Sequence, residues 1–165
     1  MAKTALKGTP VTLKGTPINV GDGAPEVTLA AKDLSPLRVG GAKEKTQVLV
    51  VVPSLDTPVC AAEARKFNES TAKITNVEVT LISMDLPFAM GRFCTTEGIE
   101  NLNVGSDFKS KEFANSYGVL IGDGPLEGLT GRAIFVINTK GEVTYKQIVP
   151  EITEEPDYED VLKIL

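Results

Sequence analysis

The chain has 165 residues, 42% apolar and 24% charged, which is the size and composition of one globular domain that folds without a metal or a disulfide. The net charge of −5 argues against a nucleic-acid or anionic-membrane partner, and the lack of histidine excludes Ser-His-Asp and Cys-His catalytic sites and His-ligated metals. Two cysteines are too few for a Cys₄ zinc or iron–sulfur site, so we expect neither a metal nor another cofactor.

The apolar segments are short. The longest run, residues 48–52, has the length of a strand and is far below the ~20 residues of a membrane span. The N-terminus is not followed by the apolar region of a secretory signal. We therefore expect a cytoplasmic protein that forms a single domain over residues 1–165.

The first half of the chain predicts a β-hairpin followed by a βαβ unit. The Leu-Lys-Gly-Thr-Pro sequence at residues 6–10 recurs at residues 13–17, which predicts an N-terminal hairpin built around a Gly-Thr-Pro turn. Residues 47–52 form a β-branched run typical of a central strand buried on both faces, and Pro53 ends it. The other expected elements are strands at 27–30, 37–39 and 77–82 and a helix at 58–70.

The second half predicts a short helix, a β-hairpin and a terminal helix. The short helix, residues 88–93, is weakened by Gly91. The remaining expected elements are strands at 102–104, 133–137 and 142–148 and helices at 111–117 and 156–165. A parallel βαβ unit joined to a terminal antiparallel hairpin and helix indicates an α/β, thioredoxin-like fold with an added N-terminal hairpin.

Cys60 lies where a nucleophile would be expected. Thr57 is a good N-cap and Pro58 suits the first helical position, so Cys60 falls in the first turn of the predicted helix. The free backbone N–H groups and the helix dipole there favour a thiolate, and a loop after a central strand is where α/β folds place their sites. From these residues alone, Cys60 could equally be a small apolar residue that fills the core.

The local sequence resembles a known active-site motif. Pro53-x-x-x-Thr57-x-x-Cys60 is similar to the signature of the peroxiredoxins, and the stretch of residues 54–60, Ser-Leu-Asp-Thr-Pro-Val-Cys, resembles the thiol peroxidase branch of the atypical two-cysteine type. The resemblance extends to Cys94 after Met-Gly-Arg-Phe, and to Arg132 between Gly and Ala.

This resemblance implies a role for each motif residue. Cys60 would be the peroxidatic cysteine, which a peroxide oxidises to a sulfenic acid. The Thr57 hydroxyl would align peroxide and sulfur, Pro53 would shield the sulfur, and Arg132 would supply a fixed positive charge. The alternatives are a plain N-cap for Thr57, a strand terminator for Pro53 and a solvated surface charge for Arg132.

The resemblance also implies that Cys94 is the resolving cysteine, which would form an intramolecular disulfide with Cys60. Its alternative is a buried structural thiol. Because a disulfide needs Cα atoms about 4.4–6.8 Å apart, we expect the helix around Cys94 to unwind or shift on oxidation. Asp85 and Asp123 lie in loops with no visible partner, so neither is predicted to belong to the site.

The implied function is antioxidant: reduction of hydrogen peroxide and alkyl hydroperoxides by a homodimer that thioredoxin recycles, as part of cell redox homeostasis. Two alternatives stay open. One is a redox sensor that passes oxidation to a partner protein and turns over poorly with thioredoxin alone. The other is a domain in which the disulfide only stabilises the fold, which the reducing cytoplasm disfavours.

Overall fold

The computed structural model describes residues 3–165, so Met1 and Ala2, which the predicted domain includes, lie outside the described residues. The strands are β1 (Lys3–Leu6), β2 (Thr9–Lys14), β3 (Val27–Ala31), β4 (Pro36–Val39), β5 (Thr46–Val51), β6 (Val77–Ser83), β7 (Asn103–Ser106), β8 (Leu120–Ile121), β9 (Ala133–Ile137) and β10 (Val143–Ile148). The helices are α1 (Pro58–Thr71), α2 (Pro87–Glu97), α3 (Glu112–Ser116) and α4 (Tyr158–Leu162).

A seven-stranded sheet in the order β10-β9-β5-β6-β7-β3-β4 forms the centre of the molecule. Strand β5 pairs in parallel with β6, which pairs in parallel with β7, while β9 runs antiparallel to β5 on its other side. Because the side chains of a strand alternate between faces, Val48 and Val50 pack into one apolar cluster and Leu49 and Val51 into another. The predicted central strand, buried on both faces, is confirmed.

The helices cover both faces of this sheet. Helices α1, α2 and α4 contribute Phe67, Met90 and Val161 to the cluster that contains Val48. Helix α3 contributes Phe113 to the opposite cluster, where its ring stacks on Tyr117 with centroids 4.3 Å apart. Each helix thus buries an apolar side against one face of the sheet.

The N-terminal hairpin belongs to a separate small sheet, β1-β2-β8. It is tied to the segment after β10, because the Thr4 hydroxyl donates to the Val149 carbonyl oxygen at 2.8 Å and the Ile152 N–H donates to the Ala5 carbonyl oxygen at 2.8 Å. The Glu151 carboxylate also accepts the Gly8 N–H at 2.8 Å. The predicted hairpin is confirmed, and it is anchored to the C-terminal part of the chain. Its predicted Gly-Thr-Pro turn was wrong, because the turn lies at Lys7 and Gly8, and Thr9 and Pro10 already pair with β1.

Three elements differ from the sequence predictions. Strand β8 was missed, because a two-residue strand that pairs with Leu13 is too short to produce an alternating pattern. Helix α2 continues four residues past the predicted end at Phe93, up to Gly98, which adopts φ 66° and donates its N–H to the Cys94 carbonyl oxygen. Helix α4 starts at Tyr158, because Asp157 caps it by accepting the Asp160 N–H. No helix among residues 3–165 is long and apolar enough to cross a membrane.

Candidate active site

The start of α1 holds Cys60 in a defined position. Thr57 is the N-cap with extended backbone, φ −120° and ψ 150°, and Pro58 occupies the first helical position. The Thr57 Oγ1 accepts the Cys60 N–H at 3.4 Å and donates to the Ser54 carbonyl oxygen at 3.1 Å. The predicted cap is therefore confirmed, and it places Cys60 in the first turn, where the backbone N–H groups favour negative charge.

A buried arginine faces the Cys60 sulfur. Arg132, directly before β9, donates from Nη1 to Cys60 Sγ at 3.2 Å and from Nε to the Ile152 carbonyl oxygen at 2.8 Å. The Arg132 side chain is 2% exposed and Cys60 is fully buried. Burial lowers the pKa of Arg132, but the charges of Cys60 and Glu63 raise it by more, so the guanidinium stays charged beside the sulfur.

Glu63 completes this buried cluster and was missed in the sequence. Its Oε1 accepts a hydrogen bond from Arg132 Nη1 at 2.9 Å, while no residue in the described part of the chain partners its Oε2. Burial raises the pKa of Glu63 to about 7, against the opposing effect of Arg132. Helical spacing could have identified it, since Cys60, Glu63 and Phe67 share one face of α1. A carboxylate on an apolar helix face needs a hydrogen-bonding or charged partner when it is buried.

Cys94 lies in α2 and belongs to the same apolar cluster as Cys60. Both thiols are free and buried, so this is the reduced form of the pair. Burial raises the pKa of the Cys94 thiol, and the positive charge of Lys32 offsets part of that effect. In this conformation Cys94 is therefore held as a thiol, the less nucleophilic form.

A groove of about 740 Å³ separates the start of α1 from α2. The α2 side of the groove is apolar at Phe88, whose side chain is 70% exposed, and basic at Arg92. The lining residues are Leu55, Asp56, Thr57, Pro58, Ala61, Asp85, Phe88, Ala89, Arg92, Phe93, Thr96 and Glu97. A groove of this size has room for an organic group larger than hydrogen peroxide.

The other residues considered in the sequence, Pro53, Asp85 and Asp123, do not all lie near Cys60. Pro53 is buried at the start of the loop that leads from β5 to α1, in the same loop as Thr57. Asp85, for which the sequence shows no paired partner, lines the groove and accepts hydrogen bonds from that loop. Asp123 does have a partner, the Thr12 N–H at 2.9 Å, but this contact lies in the N-terminal sheet. The structure therefore brings Cys60, Thr57 and Arg132 together.

Comparison with known proteins gives a consistent result. The sequence pattern of the Redoxin family matches residues 19–162. The chain is 60% identical over 157 residues to a thiol peroxidase of Campylobacter jejuni, covering 95% of this chain and 89% of the other. It is 54% identical over 163 residues to a thiol peroxidase of Aquifex aeolicus, covering 98% of this chain and 96% of the other.

Solved structures agree with this result. A peroxiredoxin-like protein from Aquifex aeolicus superimposes with a TM-score of 0.97 at 52% identity and covers 99% of this chain and 95% of its own. A thiol peroxidase from Chromobacterium violaceum superimposes with a TM-score of 0.89 at 19% identity, over 98% of this chain and 94% of its own, and this likeness concerns the fold alone. The predicted α/β, thioredoxin-like fold with its added hairpin is confirmed.

Proposed function

The chain belongs to the thiol peroxidase family of peroxide-reducing enzymes, and we propose that Cys60 is the residue that peroxide oxidises. The observation that carries the proposal is the 3.2 Å hydrogen bond from Arg132 Nη1 to Cys60 Sγ. A fixed cation at this distance attracts the negative charge of the attacking sulfur. At Cys94 the charge of Lys32 offsets only part of the effect of burial, which favours the thiol.

In the first step the Cys60 thiolate attacks the terminal oxygen of the hydroperoxide. The S–O bond forms as the O–O bond breaks, so the sulfur is oxidised to a sulfenic acid and the peroxide is reduced. The departing hydroxide or alkoxide takes a proton from water and leaves as water or an alcohol. Arg132 stabilises the negative charge as it moves from sulfur to the departing oxygen.

Thr57 and Pro53 prepare this step. The Thr57 hydroxyl lies at the groove and is fixed through Ser54 and the Cys60 N–H, so it can align the peroxide oxygen with the sulfur. Pro53, buried at the base of the same loop, limits access of water to the sulfur.

In the second step Cys94 resolves the sulfenic acid. The Cys94 thiol loses its proton and the resulting thiolate attacks the Cys60 sulfur, so the S–S bond forms as the S–O bond breaks. The departing hydroxide takes up one proton and leaves as water. Both cysteines lie in formed helices here, so we propose that α2 unwinds or shifts to bring the sulfurs together. Hydrogen exchange in α2 that is equally slow in the reduced and oxidised proteins would contradict this movement.

The substrate range and partners are further parts of the proposal. The groove supports organic hydroperoxides beside hydrogen peroxide, because Phe88 and Phe93 offer an apolar wall to an alkyl group. The exposed side chains of Leu86 and Phe88 fit contact with a second copy of the chain or with a reductant of the thioredoxin type. We propose that the enzyme acts as a one-domain homodimer in the cytoplasm.

The experiment that tests this proposal follows both thiols during one turnover. Reduced wild type, Cys60→Ser and Cys94→Ser are mixed with one equivalent of peroxide, quenched rapidly and analysed by mass spectrometry. We expect the wild type to lose both thiols to a disulfide, Cys60→Ser to be inert, and Cys94→Ser to stop at a sulfenic acid. A wild type that reacts no faster than a free thiol would overturn the assignment. Steady turnover with thioredoxin separates a peroxidase from a redox relay.

A further inference from the structure

Asp85 connects the two cysteine-bearing regions of the molecule. It lies in the loop between β6 and α2, one residue before the N-cap of α2. Its Oδ1 accepts the Ser54 hydroxyl at 3.0 Å and its Oδ2 accepts the Leu55 N–H at 2.7 Å. One carboxylate therefore joins the start of the Cys94 helix to the loop that leads to the Cys60 helix.

The Asp85 carboxylate is itself held rigidly. The Ser83 hydroxyl donates to Oδ2 at 2.6 Å, and the Asp85 N–H donates back to that hydroxyl oxygen at 3.1 Å. The Ser106 hydroxyl donates to the Asp85 carbonyl oxygen at 2.5 Å. The hydroxyl groups of Ser83 in β6 and Ser106 in β7 thus fix Asp85 to the central sheet, so the hydrogen bonds from the loop to Asp85 hold the loop in place.

The bonds from Asp85 reach Cys60 through a short series of contacts. Ser54, bonded through its hydroxyl to Asp85, accepts the Thr57 hydroxyl with its carbonyl oxygen at 3.1 Å. Thr57 in turn accepts the Cys60 N–H. Leu55, the other bonded residue, is 4% exposed and packs in the apolar cluster that contains both cysteines. Release of Asp85 would therefore loosen the residues that align peroxide with the sulfur.

We infer that Asp85 is a positioning residue that favours peroxide reduction at Cys60 and opposes closure of the Cys60–Cys94 disulfide. The inference rests on the function proposed above. While the bonds to Ser54 and Leu55 persist, the Cys60 loop and the start of α2 keep their places and the site is ready for peroxide. Movement of α2 toward Cys60 strains or breaks these bonds, so they add to the cost of the second step.

The test measures the two steps separately in Asp85→Asn. Asparagine has the same shape as aspartate but no charge. Its NH₂ group would face the Ser54 or Leu55 donor, which needs an acceptor. Rapid quench and mass spectrometry follow sulfenic acid, trapped by dimedone, and disulfide. We expect oxidation of Cys60 to slow by about tenfold and disulfide closure to accelerate by about threefold. A merely structural role would not change the two rates in opposite directions.

Two further variants make the outcome decisive. Asp123→Asn is the matched control, because Asp123 also accepts a backbone N–H, from Thr12, but in the N-terminal sheet; both of its rates should equal those of the wild type. Ser54→Ala removes one donor to Asp85 and should shift both rates in the same directions by smaller factors; it decides the question if Asp85→Asn does not fold.

The possible failures are distinguishable. A wild type that does not react with peroxide overturns the proposed function and this inference with it. A wild type that reacts normally, beside an Asp85→Asn protein whose two rates are unchanged or change in the same direction, overturns the inference alone.

Discussion

Helices α1 and α2 carry the two cysteines, but the protein holds them very differently. Helix α1 starts with a side-chain cap from Thr57, has 14 residues and buries the Glu63–Arg132 ion pair beside Cys60. Helix α2 has 11 residues, begins at Leu86 without a side-chain cap and contains Gly91. Its buried residues are Pro87, Met90 and Cys94 alone.

This difference matches the two steps of the proposed mechanism. Attack on peroxide needs a sulfur, a hydroxyl and a cation in fixed positions, which a capped and well-packed helix end supplies. Disulfide closure needs one sulfur to move, and a helix with no side-chain N-cap and few buried residues costs less free energy to open. Caps, buried ion pairs and glycines thus predict which of the two helices stays in place and which one moves.

The largest expected effect comes from removing the positive charge of Arg132 beside the start of α1. Arg132→Met should slow peroxide reduction by about 10²–10³ and destabilise the fold by about 3–5 kcal/mol, because Glu63 is left buried and unpaired. Stopped-flow peroxide consumption and urea unfolding measure these changes. The double variant Arg132→Met/Glu63→Leu should recover stability but not rate; recovery of both would show that Arg132 acts only on packing.

A smaller effect concerns how the stability of the fold depends on pH through the Glu63–Arg132 pair. Burial raises the pKa of Glu63 from 4.5 to about 7, so the folded state binds this proton more tightly than the unfolded chain does. The stability that Glu63 contributes is therefore fully present below about pH 4.5 and is lost as the pH rises through about 7, by up to about 3 kcal/mol. Urea unfolding across this range should show the loss in wild type and a flatter profile in Glu63→Gln.

The control for this prediction is Glu69→Gln, on the exposed side of the same helix, which should keep the wild-type dependence of stability on pH. A Glu63→Gln profile as steep as that of the wild type would contradict the assignment of the slope to Glu63.

The smallest expected effect concerns α2, the helix that is proposed to move. Gly91→Ala should stabilise α2 by about 1 kcal/mol and slow disulfide closure by about fivefold, with oxidation of Cys60 unchanged. A Cβ there meets only the Lys32 Cβ, at 3.8 Å, so it fits. Gly98→Ala makes the same substitution at a residue with φ 66°, a backbone conformation that disfavours alanine. It should therefore destabilise the C-terminal end of α2 and speed formation of the disulfide. Rapid-quench measurement of disulfide checks both; equal rates in the two variants would mean that α2 does not move.

Sequence predicted the features that depend on local patterns. The β-branched run at β5 and the Thr57-Pro58 cap are each specified by neighbouring residues, and the structure has both. The position of Arg132 could not follow from spacing, since strand pairing between β5 and β9 brings it to Cys60. It was predicted only through resemblance to a family.

The features that sequence missed depend on tertiary contacts. Glu63 is an ordinary helix-forming residue until the fold turns its side toward Arg132. Asp85 looks like a loop residue because its donors, Ser54 and Leu55, lie on a neighbouring loop some 30 residues earlier in the chain. Polar networks that join distant loops leave no periodic signal in a single sequence.

The N-terminal hairpin limits how far this chain could be shortened in protein engineering. Ile152 donates its N–H to Ala5 in β1 and, through its carbonyl oxygen, accepts the Nε of Arg132. A truncation that removes β1 and β2, or a fusion that displaces β1, would therefore remove the hydrogen bond that holds Ile152. The carbonyl oxygen of Ile152, which accepts the Arg132 Nε–H, would then be less firmly positioned. We therefore expect the smallest unit that holds Arg132 beside Cys60 to begin with the hairpin, although no residue of β1 or β2 lines the groove.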